Sequence, residues 1–206
     1  LQAPLAQPAA GGFAQKIFYF HVPSAYAMYL AATVCLVGSA AYLLDQTDSR
    51  DALAKAGAEV AVTFGVVVLL SGPLWAKKAW GVYWTWDPQL TTSLLTVLIY
   101  AAIVLVRAFA GDGQAERKFA AALGVVGFFL LPMIHFSVRL WGGNHPTVLR
   151  RGGGGVSAAM LHGLLSGFAV MTLLATVLLV LRYRQAQLTS RRRGLEDLAL
   201  QLGIEE

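Results

Sequence analysis

Five long apolar runs divide the sequence, and polar or glycine-rich stretches separate them. The first run, 22–44, contains no charged residue. At 1.5 Å per residue it reaches roughly 34 Å, which is enough to cross a hydrocarbon core of about 30 Å. Runs of the same character occupy 60–75, 90–106, 119–138 and 156–181. The pattern predicts an all-α integral membrane protein, a transmembrane bundle with five spans.

Polar residues, glycines and prolines predict where these helices begin and end. Connectors are expected at 45–57 and 107–118. Gly72-Pro73 falls near the end of the second run, and a proline there kinks or ends a helix, so we expect a transition into a structured loop. The third run is short, so its helix is expected to begin at 87–89, with Asp87 capping its N-terminus.

The two ends of the chain differ from the apolar centre. Residues 1–16 are rich in Ala, Pro, Gln and Gly, which indicates an irregular lead-in without the pattern of a signal peptide. Near the other end, Leu195, Leu198 and Leu202 share one helical face behind a basic stretch. We therefore divide the chain into a transmembrane domain, 1–184, and a cytoplasmic basic and amphipathic tail, 185–206, read as a surface helix.

Composition supports the membrane assignment. The 206 residues are 57% hydrophobic and 13% charged, whereas soluble domains carry about 25% charged residues. The net charge of +5 comes from basic residues at the ends of the runs and in the tail, which is the distribution of membrane topology and argues against nucleic-acid binding. Placing the C-terminus in the cytoplasm puts ten of the sixteen Lys and Arg on that side. The single cysteine, Cys35, is expected to be a buried, unreactive thiol.

The stretch 75–90, WAKKAWGVYWTWDPQL, holds four of the five tryptophans. Indole rings combine a broad apolar face with one N–H donor, so they suit the membrane interface and also flat, partly polar ligands. Interfacial anchoring explains one or two of them. The crowding of Trp80, Trp84 and Trp86 within seven residues favours a ligand platform, because ligand pockets are mostly apolar with few polar groups.

Histidines supply candidate ligands near this platform. In the predicted topology His21 and His145 reach the same membrane face as the Trp-rich stretch, and two neutral imidazoles can clamp the iron of a flat macrocycle. Each also has a plainer interpretation as an interfacial or loop residue. His135 and His162 lie within spans, as polar packing residues or rival ligands. Several basic side chains are candidates to bind carboxylates at the edge of the ligand. The plainer alternative is that they contact lipid headgroups. These residues are Lys77, Lys78, Arg139, Arg150 and Arg151.

The run Trp80 to Asp87, WGVYWTWD, resembles the WGxxWxWD signature of the haem-handling proteins of cytochrome c biogenesis. The contexts FYFHVPSAY, 18–26, and LPMIHFSVRLW, 131–141, are similar to the haem exporter protein C family, CcmC. The resemblance extends from about residue 16 to residue 184. It implies six transmembrane helices, so we expect the first helix of the family to be absent from this sequence.

The resemblance also implies a function. Members of this family display haem b at the outer face of the bacterial inner membrane and pass it to the haem chaperone CcmE, in an assembly with the ATPase CcmA and the subunits CcmB and CcmD. By motif position, His21 and His145 correspond to the axial ligands of the haem iron. The tryptophan-rich signature that holds haem contributes Trp80, Tyr83, Trp84, Trp86 and Asp87. Binding and handover are implied, rather than enzymatic catalysis.

One departure from the family pattern concerns the haem carboxylates. The family often has a basic residue after the WDx of the signature, where this chain has Gln89. Arg139 or Arg150 would then substitute for it. The larger relatives CcmF and CcsA share the signature but have many more spans than a chain of 206 residues can supply.

Two other functions remain open at the level of sequence. A small-molecule transporter or permease subunit would use the Trp-rich loop as a gate, and would need polar residues that face each other inside the bilayer. The spans offer only Ser, Thr, His135 and His162 for this purpose. A b-type electron-transfer protein would bury its ligands within the helices, and His135 with His162 would be that pair.

Overall fold

The computed structural model describes residues 12–110, 113–143, 145 and 156–203. A short 3-10 helix, Gly12–Ile17, leads into the bundle. Five α-helices follow: α1 (Phe18–Leu44), α2 (Asp48–Trp80), α3 (Pro88–Phe109), α4 (Gln114–Trp141) and α5 (Ala158–Gln201). All five are long and apolar enough to cross a membrane, which confirms the predicted all-α transmembrane bundle.

The predicted connectors are too long. Residues 45–47 alone separate α1 from α2, because Asp48 and Asp51 form the first turn of α2, where acidic side chains complement the helix dipole. Likewise, α3 extends to Phe109 and α4 begins at Gln114. Four charged residues in these helix ends, Asp48, Asp51, Arg107 and Arg117, form ion pairs between helices.

Pro73 does not end α2, contrary to expectation. The helix continues to Trp80 and ends at Gly81, whose left-handed conformation (φ 78°) allows its N–H to donate to the carbonyl of Lys77. A proline inside a membrane helix is tolerated where packing and local adjustment satisfy the freed carbonyl. Consequently 75–80 are helical, and the loop before α3 contains only 81–87.

Small residues allow α1 and α2 to pack with their backbones in contact. A Cβ built on Gly57 would lie 2.6 Å from the Cα of Cys35, and one built on Gly38 would lie 2.8 Å from the Cα of Ala54. Cys35 is fully buried in this seam, as predicted. The α3–α4 pair packs against one side of the α1–α2 pair, and α5 packs against the other side.

Ion pairs tie the first turns of α2 to the other helices. Arg107 of α3 donates to both carboxylate oxygens of Asp51, at 2.7 and 2.5 Å. Asp48 accepts from Arg117 of α4 at 2.7 Å and from the hydroxyl of Ser190 of α5 at 2.6 Å. These contacts fix the end of the bundle that is opposite to the C-terminus of α2.

The tail does not form a separate surface helix in the described residues. α5 is one continuous helix of 44 residues, about 66 Å long and therefore about twice the thickness of a hydrocarbon core. Its part beyond Ser190 includes the predicted leucine face, which is exposed at Leu195, Leu198 and Leu202.

Candidate functional site

His21 lies in the first turn of α1 and contacts the C-terminal part of α2. Its Nδ1 is 2.8 Å from the hydroxyl oxygen of Ser71. The next residue of α2, Gly72, leaves room for the ring, since a Cβ at that position would be 3.3 Å from Cε1 of His21. Two successive residues of α2 therefore supply the hydrogen-bond partner and the space for the imidazole.

Trp75 lies one turn beyond Ser71, on the same face of α2. Its indole N–H donates to the side-chain oxygen of Gln15 at 2.9 Å, which anchors the ring from the 3-10 helix. The ring meets that of Trp80 edge to face, with centroids 5.1 Å apart. The two indoles form an apolar wall at the end of α2.

His145 lies beside this wall. Its ring centroid is 6.4 Å from that of Trp75 and 6.4 Å from that of Trp80. It is also near enough to His21 for charges on the two imidazoles to interact. His145 therefore packs beside this wall and lies near His21, from which it is separated by more than a hundred residues in the sequence.

The surroundings of His145 favour the neutral form of its imidazole. Burial lowers its pKa below the ordinary value for histidine; the Asp87 carboxylate raises the pKa, and the charge of His135 lowers it. Its Nδ1 is buried and has no hydrogen-bond partner among the residues that the structure describes. A neutral imidazole is the form that coordinates a metal.

Asp87 caps the N-terminus of α3, as predicted. Its side chain accepts a hydrogen bond of 2.9 Å from the backbone N–H of Gln89, at the start of α3. Only 6% of the residue is exposed. The same carboxylate lies against Gly143, so that a side chain on residue 143 would overlap it.

The remaining residues of the Trp-rich loop face outwards to different degrees. Trp84 is half-buried and packs edge to face on Trp86, with centroids 5.9 Å apart. The indole nitrogen of Trp84 and the hydroxyl of Thr85 are buried without a partner in the described part of the chain. In contrast, Trp86 is 77% exposed and Tyr83 is 57% exposed.

The other predicted residues lie around this centre. His135 is exposed on α4, with its ring 5.5 Å from that of Tyr29, and Arg139 follows one turn later, also exposed. His162 is exposed on α5. Lys77 lies over the ring of Tyr83, at 5.2 Å from its centroid. Arg150 and Arg151 lie outside the described residues.

These residues fit a flat, iron-containing macrocycle. Two imidazoles from different elements can take the two axial positions of an iron, and the indoles supply apolar surface for the ring. The donors of Trp84 and Thr85, which have no partner among the described residues, are available to a ligand, because buried polar groups usually have partners.

The comparison with known families decides the class of the protein. A family model described as Heme exporter protein C, CcmC, matches residues 5–197. The chain belongs to this family. Heme exporter protein C of Bradyrhizobium diazoefficiens is 33% identical over 187 residues, which cover 90% of this chain and 71% of the relative. The protein of the same name from Escherichia coli (strain K12) is 28% identical over 195 residues, which cover 93% and 79%.

A plant protein is also similar to this chain. A putative cytochrome c biosynthesis ccmC-like mitochondrial protein of Marchantia polymorpha is 28% identical over 171 residues, which cover 82% of this chain and 72% of the relative. The resemblance to the CcmC family drawn from the tryptophan signature and the two histidine contexts is confirmed. Membership means a multi-pass membrane protein that handles haem for cytochrome c maturation.

Several residues of the site were not predicted from the sequence. Ser71 and Gln15 contact His21 and Trp75 across 50 and 60 residues, and nothing in their local sequence indicates these partners. Trp75 was included in the Trp-rich stretch but not among the ligand-binding residues. A helical interpretation of 71–80 would have placed Ser71 and Trp75 on one face and drawn attention to both.

Proposed function

We propose that this member of the heme exporter protein C family binds haem b between His21 and His145, and delivers it to the chaperone CcmE. The observation that supports this proposal most is the position of Trp75. One turn before it, Ser71 contacts His21, and the ring of Trp75 itself lies beside His145. Two residues on one face of α2, Ser71 and Trp75, thus contact the two potential iron ligands.

Each residue has a defined part in this proposal. His21 and His145 are the axial ligands of the haem iron, and Trp75 and Trp80 pack against the macrocycle. Trp84 and Thr85 donate hydrogen bonds to polar groups of the bound haem. The role is binding and handover of a cargo, with no bond-forming step assigned to this chain, and it is therefore not enzymatic.

Arg139 is the proposed partner of the haem carboxylates. It is exposed in the last turn of α4 and adjoins His135, on the helix that leads to Gly143 and His145. An arginine suits a carboxylate because its planar guanidinium donates two parallel hydrogen bonds. It would take the place of the basic residue that the family often has where this chain has Gln89.

The site is proposed to face the periplasm, with the C-terminus in the cytoplasm. The excess of Lys and Arg at the opposite end of the bundle supports this orientation, since cytoplasmic segments are enriched in basic residues. The partners are proposed to be the ATPase CcmA, the subunits CcmB and CcmD, and the chaperone CcmE, which would bind at the exposed aromatic residues Trp86 and Tyr83.

Absorption spectra of the purified protein test the ligands. The parent is expected to show a low-spin haem spectrum with two histidine ligands, and His21→Ala and His145→Ala are each expected to weaken or shift it. His162→Ala is the matched control, because this histidine is exposed on α5 and its loss should leave the spectrum unchanged. Intact spectra in both ligand variants would contradict the proposal and direct attention to His135 and His162. Absence of haem under haem-replete conditions would favour a transporter.

Co-purification of CcmE with the haem-loaded protein tests the handover. Trp86→Ala is expected to reduce the amount of chaperone retained while the haem spectrum stays near that of the parent. Phe109→Ala is the control, because Phe109 is an aromatic residue even more exposed than Trp86 (86% against 77%) and lies at the far end of α3. Equal retention by the two variants would rule out Trp86 as a chaperone contact.

A further inference from the structure

The contact between His21 and Ser71 defines which nitrogen of His21 carries its proton. The hydroxyl oxygen of Ser71 is 2.7 Å from the carbonyl oxygen of Val67, one turn earlier in α2. A carbonyl oxygen cannot donate, so the single hydroxyl proton of Ser71 lies between these two oxygens. The hydroxyl therefore has only lone pairs to offer to Nδ1 of His21, which is 2.8 Å away.

The consequence for His21 is one neutral tautomer. Nδ1 must carry the proton and donate it to Ser71, and Nε2 then carries the lone pair. The bond lies in a protected place, since Ser71 is only 6% exposed. Gly72, the next residue, leaves the space that the ring edge at Cε1 occupies. The hydrogen bond to Ser71 thus sets the tautomer of His21 before any ligand arrives.

We propose that Ser71 is a positioning residue that presents Nε2 of His21 to the haem iron. This inference rests on the proposed function, in which His21 is an axial ligand. A hydrogen bond from the second ring nitrogen fixes the tautomer of a ligating histidine and makes the ligand more basic. A more basic ligand stabilises ferric over ferrous iron, so Ser71 also lowers the reduction potential of the bound haem.

Nitrogen NMR of the haem-free protein tests the tautomer directly. The signals of His21 in the parent are expected to show a proton on Nδ1 and a lone pair on Nε2. In Ser71→Ala they are expected to shift towards a mixture of tautomers, while Ser71→Thr keeps the parent pattern. A parent with its proton on Nε2 would overturn the inference even if His21 proved to be a haem ligand.

Haem titration and redox potentiometry test the effect on the ligand. Ser71→Ala is expected to bind haem about 10- to 100-fold more weakly, the usual range for lost partners of ligating residues, and to show a more positive midpoint potential. Ser71→Thr should restore both properties, because its hydroxyl can make the same two bonds. If Ser71→Ala acted only by loosening the fold, restoring the hydroxyl in Ser71→Thr would not bring the midpoint potential back to that of the parent.

Ser24→Ala is the matched control for packing. Ser24 is also a buried serine whose hydroxyl donates to the carbonyl four residues earlier, at 2.7 Å, and its substitution should leave affinity and potential unchanged. Equal losses in Ser24→Ala and Ser71→Ala, or parent-like binding and potential by Ser71→Ala, would refute the role of Ser71. If His21→Ala retains the parent spectrum while the tautomer is as expected, the proposed function fails instead.

Discussion

The carboxylate of Asp87 lies against the backbone of Gly143, at a point where any side chain on residue 143 would overlap it. The same carboxylate caps α3 through the N–H of Gln89. One aspartate therefore connects the start of α3 to the segment that leads from α4 to His145. The aspartate of the tryptophan signature thus supports the segment that carries His145.

Gly143→Ala is expected to weaken haem binding more than Gly142→Ala. Both residues have positive φ, 154° and 74°, so both substitutions introduce backbone strain of about 1–3 kcal/mol. Only Gly143 contacts Asp87, whereas a Cβ on Gly142 meets nothing within 4 Å. Haem titration should show affinities that differ on the order of tenfold between the two variants. This corresponds to a cost of about 1.4 kcal/mol for displacing the segment that carries His145. Equal affinities would mean that the contact with Asp87 does not position His145.

Asp87→Ala is expected to lower both stability and haem affinity, and Asp87→Asn is expected to preserve most of each. Alanine removes the helix cap, at a cost of about 1 kcal/mol, while asparagine caps as well as aspartate. Asparagine also fills the same space against Gly143. Thermal unfolding of the haem-free protein and haem titration measure the two effects. An asparagine variant as defective as the alanine variant would show that the charge matters and not the shape.

Trp84→Phe is expected to bind haem about 2- to 10-fold more weakly, which corresponds to the loss of one hydrogen bond. The substitution keeps an aromatic ring and removes only the indole N–H, which is buried without a protein partner in the described residues. Trp86→Phe is the control, because Trp86 is mostly exposed and its N–H can be satisfied by water. Identical affinities of the two variants would exclude the N–H of Trp84 as a donor to haem.

Arg107→Ala is expected to destabilise the bundle by about 3–5 kcal/mol, because it leaves Asp51 buried without its bidentate partner. Arg192→Ala is the comparison, since Arg192 forms an exposed pair with Glu196 four residues along α5, and such pairs contribute less than about 1 kcal/mol. Chemical unfolding in detergent measures both. The haem spectrum of any folded Arg107→Ala protein should match the parent, because this pair lies at the other end of α2. A loss below about 1 kcal/mol would show that the pair is solvated.

The sequence predicted the features that depend on local pattern. The five spans follow from apolar runs of sufficient length, and the cap at Asp87 follows from an aspartate in front of Pro88. The family follows from one tryptophan signature and two histidine contexts. Each of these can be recognised within a few tens of residues.

The features that depend on contacts across the bundle could not be predicted in this way. In the sequence, the charged residues at 45–57 and 107–118 are typical of loops. Their helical conformation is accompanied by contacts such as the ion pair of Arg107 with Asp51, 56 positions away, which local sequence does not show. Pro73 suggests a helix end in the sequence, but α2 continues through it to Trp80. Because α2 continues, Ser71 and Trp75 share one face, and this face is what brings His21 towards His145.

The close approach of helices in the centre of the bundle bears on how the cargo travels. Backbone meets backbone at Gly38 and Gly57, and a Cβ on Gly124 of α4 would lie 3.1 Å from the sulfur of Cys35. Seams that cannot admit a methyl group cannot admit a porphyrin. Passage between α1 and α2, or between α1 and α4 at this level, is therefore closed to a molecule of the size of haem.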